Sequence, residues 1–383
     1  MSDRPGGTAD RSLQLRGVSR RYPTRRGTPD VVAVERVELS VAGGEITSIL
    51  GASGSGKTTL LRLIAGFEPV DAGRITLAGA TLSEPGRTVA PELRGVGMVF
   101  QQTALLPHLT IEGNIAFGLH AMPPPERHDR VAELLAMTGL VAEAGRFPHE
   151  VSGGQAQRAS LARALAPRPA LVLLDEPVNN LDASLKWSLL ADVRALLKAT
   201  GTTALFVTHE RDEAFAVADQ MLVVHRGRVV QAGIPADVYR NPANEMVATY
   251  LGATNMLPVQ SSAGEVRLQS PFDQLGALTD RRVFDTDNGP VASIRPAEMT
   301  IARAAATVTA GGAAGAGAAE AGITTAGLDA DVIDVRFMGE RWEVTASVGG
   351  RRLIAHADPS LPLAAGDRVR LMLRPLRFLR PLL

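Results

Sequence analysis

Residues 51–59 read Gly-Ala-Ser-Gly-Ser-Gly-Lys-Thr-Thr, directly after the apolar run Ile46–Leu50 and opening a helix-like stretch, Thr58 to Ile64. Glycines at 51, 54 and 56 let the chain turn tightly enough for successive backbone N–H groups to converge on one anion. The helix beyond them adds the positive end of its dipole. Lys57 is placed to reach β- and γ-phosphate oxygens, and the Thr58 hydroxyl to ligate Mg2+. A glycine-rich turn with no ligand is the plainer alternative, and the strand–loop–helix context argues against it. Phosphate binding on an α/β scaffold is the first expectation.

The alternation continues to about residue 250. Leu171–Leu174 and Ala204–Thr208 are again short, nearly continuous apolar runs, as strands buried on both faces require. Leu181 to Lys198 reads as a helix between them. Together these predict a covered parallel sheet. Between about Gln101 and Leu165 the strand signals stop. Val131, Leu134, Leu135 and Thr138 fall at i, i+3, i+4 and i+7, so this part reads as a helical insertion.

The pattern changes after Tyr239. Pro242 and the helix-like Ala243–Leu251 are expected to close the first domain, with Asn255 to Pro258 as its exit. The remaining residues read as short alternating strands, such as Val369, Leu371 and Leu373 interleaved with Arg368, Arg370 and Arg374. That spacing suggests a small barrel or sandwich. Ala310 to Gly322 is Ala or Gly in all but Glu320, with too little side chain to pack. The expected division is a flexible tail at 1–11, an α/β domain at 12–250 with its helical subdomain at about 101–165, and a β domain at 255–383 with an Ala/Gly-rich loop at 304–327.

Composition narrows the function classes. Cys is absent, which excludes disulfide scaffolds, thiolate zinc sites and CxxC redox chemistry. Lys+Arg and Asp+Glu are 40 each, so no charge excess marks a nucleic-acid binder or a polybasic membrane-surface protein. No run of strongly apolar residues is long enough to span a bilayer. Residues 1–11 lack the apolar core of a signal peptide. The cluster Arg16, Arg20, Arg21, Arg25 and Arg26 is read as a solvated face.

Three further groups carry chemistry. Leu171-Val-Leu-Leu-Asp175-Glu176-Pro177 ends a buried strand in two carboxylates, which are costly to desolvate together and so call for a cation or a proton-transfer role. Asp175 suits a Mg2+ shell, and Glu176 the base that polarises an attacking water. His209 ends the strand Ala204–Thr208, at the strand ends where α/β sheets gather ligands. Val151-Ser152-Gly153-Gly154-Gln155 precedes the helix Ala156–Leu165, with Ser152 as its expected cap. Only three lysines occur, Lys57, Lys186 and Lys198, so nearly every other cation is arginine.

With the phosphate loop and the acid pair, Ser152-Gly-Gly-Gln155 resembles the signature motif of ATP-binding cassette (ABC) ATPases. The resemblance runs through the whole first domain. Tyr22 looks like the adenine-stacking aromatic, and Gln101 like the glutamine that joins the nucleotide site, including its Mg2+, to the helical subdomain. In isolation Tyr22 would read as a packed strand-edge aromatic and Gln101 as a solvated turn residue. Asn179-Asn180-Leu181-Asp182 resembles the D-loop, and Thr208-His209-Glu210 the switch histidine. Ala65-Gly66-Phe67-Glu68, Pro107-His-Leu-Thr110 and Asn114-Ile-Ala-Phe-Gly118 look like importer ATPases for ferric iron and polyamines. Ile294-Arg-Pro-Ala-Glu298 and Phe337-Met-Gly339 resemble their oligonucleotide-fold (TOBE) regulatory domain. Departures are Val151 for Leu, Asn at 179 and 180, the Arg-rich stretch Pro23–Pro29, and the Ala/Gly insertion.

The resemblance implies a P-loop ABC cassette followed by a TOBE-like all-β domain, binding ATP and Mg2+. It implies a homodimer in which Ser152, Gly153, Gly154 and Gln155 of one chain cover ATP on Gly51, Ala52, Ser53, Gly54, Ser55, Gly56, Lys57, Thr58 and Thr59 of the other. Glu176, His209, Gln101 and Lys57 would be catalytic, and Thr58, Gln101 and Asp175 would hold Mg2+. The dimer would lie on the cytoplasmic face of the inner membrane, under separate permease subunits fed by an external solute-binding protein. The alternative is a soluble ABC ATPase of DNA repair or translation. Those carry paired cassettes, long coiled coils or zinc hooks, whereas this chain has one cassette, no sustained heptads and no Cys. At 4% aromatic residues the β domain is thin as a base-stacking platform, so no nucleic-acid partner is expected.

Overall fold

In a computed structural model of the chain, the described residues are 12–24, 30–179, 182–252, 254–262, 265–275, 283–303 and 327–373. The expected tail at 1–11, the arginines at 25 and 26, Asn180, Leu181 and residues 304–326 of the Ala/Gly-rich loop lie outside them. The chain divides into two units, one ending at Arg240 and the other beginning at Asn241.

The first unit opens with β1 (Leu13–Tyr22), β2 (Val31–Val41), β3 (Ile46–Leu50), α1 (Lys57–Ala65), β4 (Ala72–Leu77), β5 (Ala80–Glu84), β6 (Arg87–Thr88) and β7 (Val96–Val99). Three α-helices come next without an intervening strand, α2 (Ile111–Ala116), α3 (Pro124–Thr138) and α4 (Gly153–Leu165). Then come β8 (Leu171–Asp175), α5 (Ala183–Ala199), β9 (Thr203–Thr208), α6 (Arg211–Val217), β10 (Gln220–His225), β11 (Arg228–Gly233) and α7 (Pro235–Arg240).

Two sheets result. One has the order β11-β10-β3-β9-β8-β7 and is parallel except where β11 pairs with β10. The other, β2-β1-β4-β5-β6, is antiparallel throughout. The uninterrupted apolar runs are explained by burial on both faces of the parallel sheet. Val172, Leu174, Ala204 and Phe206 pack with Ile111 and Ile115 of α2, Leu134 of α3 and Leu190 of α5. Their neighbours in sequence, Leu171, Leu173, Leu205 and Val207, point the other way, into Leu60 and Leu61 of α1 and Leu13 and Leu15 of β1. The period of two along a strand thus serves two separate cores.

Arg94 is buried and fully employed. Its guanidinium donates to the carbonyls of Leu63 (3.0 Å), Ile64 (2.7 Å), Val89 (2.8 Å) and Leu82 (3.3 Å) and to the Ser83 hydroxyl (2.7 Å). It therefore satisfies carbonyls at the end of α1 while tying them to β5, as a five-donor fork can.

The second unit contains α8 (Glu245–Tyr250), β12 (Asn255–Ser262), β13 (Glu265–Leu268), β14 (Val283–Thr286), β15 (Gly289–Ile294), β16 (Met299–Arg303), β17 (Leu328–Phe337), β18 (Trp342–Val348), β19 (Arg351–Ala357) and β20 (Arg368–Leu373). They form two antiparallel sheets, β13-β12-β15-β14 and β16-β20-β17-β18-β19. One core joins them, with Leu257, Ile294, Val344, Leu353, Val369 and Leu371 all buried. The helix expected to close the first domain belongs here instead. Its Ala248 packs against Phe284, with Met256 and Val291 alongside, so the unit boundary falls before it. Among the described residues no helix is long and apolar enough to cross a membrane.

Candidate functional site

The glycine loop connects β3 to α1 at the end of the parallel sheet. Gly56 is the N-cap of α1, with φ 102°, and it has no side chain to satisfy the first N–H groups of the helix. Those donors stay open to an anion. A Cβ at position 56 would also stand 2.1 Å from the Ala33 carbonyl oxygen, so the loop admits only glycine there. Gly51, Ser55 and Lys57 are buried, while Ala52, Ser53, Gly54 and Thr58 are exposed and Gly56 and Thr59 lie between.

Lys57 donates from Nζ to the carbonyls of Gly51 (2.7 Å) and Ala52 (2.9 Å), which folds the loop around its ammonium. Burial pushes that ammonium below the ordinary lysine value, against the pull of Glu176 and Asp175. Asp175 moves the opposite way for a matching reason. Burial raises its carboxyl above the usual aspartate value, Glu176 adds to the rise, and Arg62 and Lys57 oppose it. Burial thus disfavours the charged forms of both groups. A divalent cation held by hard oxygen ligands would favour the ionised Asp175, and the Thr58 hydroxyl and Asp175 carboxylate are donors of that class.

Glu176 sits at the centre of a second cluster. Its backbone is left-handed, at φ 46°, held by its N–H donating to Val207 O at 3.0 Å. A non-glycine residue in that region is strained by about 1–2 kcal/mol, a cost met where geometry has a use. Its Oε2 accepts from Asn179 Nδ2 at 2.6 Å and from Gln101 Nε2 at 3.4 Å. Its Oε1 lies 3.2 Å from His209 Nδ1. The end of β8, the end of β9 and the turn after β7 thus deliver Asp175, Glu176, His209 and Gln101 to one place.

Ser152 caps α4, as expected. Its Oγ accepts from Gln155 N at 3.3 Å, and Gln155 Oε1 accepts from Ser152 N at 2.9 Å, a reciprocal capping box. Gln155 Nε2 also donates to Glu143 Oε1 at 3.1 Å. Gly153 and Gly154 form the first turn of that helix. No hydrogen bond among the described residues joins Ser152–Gln155 to Gly51–Thr59. Asp182 caps α5, its Oδ1 accepting from Leu185 N at 3.1 Å.

Tyr22, at the end of β1, donates from its hydroxyl to Glu68 Oε2 and lies 3.5 Å from Thr59 Oγ1, which places its ring beside the first turn of α1. The Arg20 guanidinium stands over that ring, 5.2 Å from its centroid, and pairs with Asp71 (2.9 Å) and Glu68 (3.4 Å). Arg20 is therefore no part of a solvated face, unlike the exposed Arg16 and Arg21. Two partners are not marked by the sequence. Asn179 is visible there only as a variant D-loop residue, and Glu68, 46 positions from Tyr22, leaves no local signal.

Residues 34–179 match the ABC transporter family, and residues 292–378 match the TOBE domain. A ferric-ion import ATP-binding protein of Pseudomonas fluorescens is 48% identical over 235 residues, covering 61% of this chain and 66% of that protein. The chain thus spans just under two thirds of that relative's length. A spermidine/putrescine import ATP-binding protein of Acidothermus cellulolyticus is 40% identical over 298 residues, covering 76% of this chain and 75% of that one. Among solved structures, a dimeric post-hydrolysis ATP-binding cassette bound to ADP and phosphate superposes with a TM-score of 0.51 at 30% identity, covering 58% of this chain and 98% of that one.

Proposed function

The chain belongs to the ABC transporter family, and from that membership we propose that it is the ATP-hydrolysing subunit of an importer, working as a homodimer beneath separate permease subunits. The observation that carries the catalytic part is the position of Glu176, strained at φ 46° and held by His209, Gln101 and Asn179 next to the buried Lys57.

In this reading the N–H groups of Gly51–Thr59 and the Lys57 ammonium hold the phosphates of ATP, while the Tyr22 ring stacks on the adenine. Thr58, Asp175 and Gln101 would hold Mg2+, which supplies charge neutralisation at the phosphate oxygens. Glu176 orients a water and takes its proton. The water oxygen bonds to the γ-phosphorus as the bond to the β-phosphate oxygen breaks, and ADP leaves with that electron pair. His209, bonded to Glu176 through Nδ1, has Nε2 left for the γ-phosphate. Lys57 meets the charge that develops on the transferred group.

The N-terminus of α4, with Ser152, Gly153, Gly154 and Gln155, would cover ATP bound by the partner chain. Two facts support a site shared between chains. Among the described residues Ser152–Gln155 and Gly51–Thr59 are not bonded to each other within the chain, and the related cassette is a dimer with ADP and phosphate. Closure would then depend on the γ-phosphate, which converts hydrolysis into motion. The expected place of work is the cytoplasmic face of the inner membrane, with an external binding protein delivering ferric iron or a polyamine, by analogy with the two relatives. Uptake of each solute in cells lacking the chain decides between them.

The shared site is tested with two inactive variants. Lys57→Ala disables the cradle of its own chain, and Ser152→Arg blocks the lid offered to the partner. Equal mixing gives about half mixed dimers, each with one native site, or roughly a quarter of all sites. ATPase activity recovering towards that level is the expected result. Absence of both turnover and nucleotide trapping in the mixture, with both variants folded, refutes the shared site.

A further inference from the structure

Lys186 lies one turn into α5, its N–H bonded to the Asp182 carbonyl at 3.0 Å. Its Nζ reaches Glu210 Oε1 at 2.8 Å and Glu213 Oε1 at 2.9 Å. Glu213 is buried, and its other oxygen accepts from the Thr208 hydroxyl. That hydroxyl in turn accepts from Glu210 N at 2.9 Å. The residues on either side of His209 are therefore both tied into one cluster, whose ammonium is supplied from another element.

The local structure makes this cluster necessary. Only His209 and Glu210 separate the end of β9 from the start of α6, and Glu210, the N-cap of α6, makes no capping bond with its side chain. The turn thus lacks the usual local device for fixing a helix start. Its carboxylates are drawn instead to Lys186. A carboxylate as buried as Glu213 persists only with such a partner, because an unpaired buried charge is strongly destabilising.

We propose that Lys186 is a positioning residue for His209. By holding Glu210 and Glu213 it fixes the Thr208–Glu210 turn to the first turn of α5, and with it the contact between His209 and Glu176. The start of α5 capped by Asp182 and the His209 turn then move as one piece. This rests on the reading of Glu176 and His209 as ATPase machinery.

The test uses the full-length chain and measures kcat, KM and ATP affinity for Lys186→Met, Lys186→Arg, His209→Ala and the Lys186→Met/His209→Ala pair. Misplacing a reacting group from outside the reacting atoms costs up to about a hundredfold, so Lys186→Met should lower kcat by roughly ten- to a hundredfold with ATP affinity unchanged. Lys186→Arg, which keeps the charge, should recover most of the rate. The double variant should be no slower than His209→Ala alone, because both act through one histidine. A folded Lys186→Met with native kcat, or a loss that multiplies with that of His209→Ala, overturns the proposal. Should Lys186→Met fail to fold, Glu210→Gln at the exposed end of the cluster takes its place under the same criteria. A native rate from His209→Ala instead sinks the assignment of His209, and Glu176→Gln shows separately whether the ATPase reading survives.

Discussion

Replacing Glu176 with Gln separates chemistry from shape. The amide is isosteric with the carboxylate and tolerates the same left-handed backbone to the same degree. Its carbonyl oxygen can occupy the Oε2 position and keep the bonds from Asn179, at 2.6 Å, and Gln101, at 3.4 Å. Its NH2 group then faces His209 Nδ1 at the present 3.2 Å, which the histidine accepts as the Nε2-protonated tautomer. The contacts of the cluster are kept, with the His209 bond reversed in direction, and the capacity to take a proton is lost. General-base assistance is worth about 10²- to 10⁴-fold, or about 3–5 kcal/mol of transition-state free energy. Steady-state phosphate release should therefore fall by about two orders of magnitude or more, while ATP affinity, set by Lys57 and the glycine loop, stays at the native value. ATP should then hold the chain as a stable dimer. The companion Glu176→Gly relieves the left-handed strain but gives up the contacts with Asn179, Gln101 and His209, and it should be inactive. A Glu176→Gln chain that hydrolyses ATP at the native rate, or one that loses binding and turnover together, would refute the assigned role.

Gly56→Ala should abolish nucleotide binding and lower the melting temperature, because its Cβ would meet the Ala33 carbonyl oxygen at 2.1 Å. Gly54→Ala, at φ 77° but with nothing within 4 Å, should cost only about 1–2 kcal/mol in the same thermal melt. For Asp175, burial lifts the folded carboxyl above the ordinary value of 3.8, so the folded state binds the proton more tightly than the unfolded one. Stability is then lost as pH rises through that raised value, and Asp175→Asn should raise the melting temperature of the nucleotide-free chain at neutral pH, with the gain vanishing in acid. A lower melting temperature at neutral pH counts against this account. A chain ending at Arg240 should fold and bind ATP, whereas one ending at Tyr250 carries α8 without Phe284 and should show greater exposed apolar surface by dye binding.

The phosphate loop is legible in the sequence because its chemistry dictates residue types. Only glycine meets both the backbone geometry and the close approach at position 56, and the buried strands around it need unbroken apolar runs. Asp175, Glu176 and His209 are legible from their positions at strand ends. The antiparallel sheet carrying β1, β2 and β4 is not, since its pairings join segments up to about sixty residues apart, although Leu13 and Leu15 of β1 and Val37, Leu39 and Val41 of β2 alternate into the core. Residues 243–251 carry a helical pattern, and Glu245–Tyr250 is a helix, but periodicity says nothing about which core a helix joins. Arg20 looks solvated from sequence because charge clusters on a strand are silent about partners. Its two carboxylates arrive from beyond α1. Asn179 and Lys186 are hidden for the same reason, as polar side chains whose roles exist only through residues brought near by the sheet.

Arg94 gives the first unit a mechanical property. A helix that receives phosphate at one end is loaded along its axis, and a free helix would answer by sliding or tipping. The far end of α1 is clamped to β5 through Leu63, Ile64, Leu82 and Ser83, and so has no such slack. It behaves as a pinned strut. If nucleotide loads this helix as proposed, its far end is held, and movement falls on parts of the first unit that are less firmly tied.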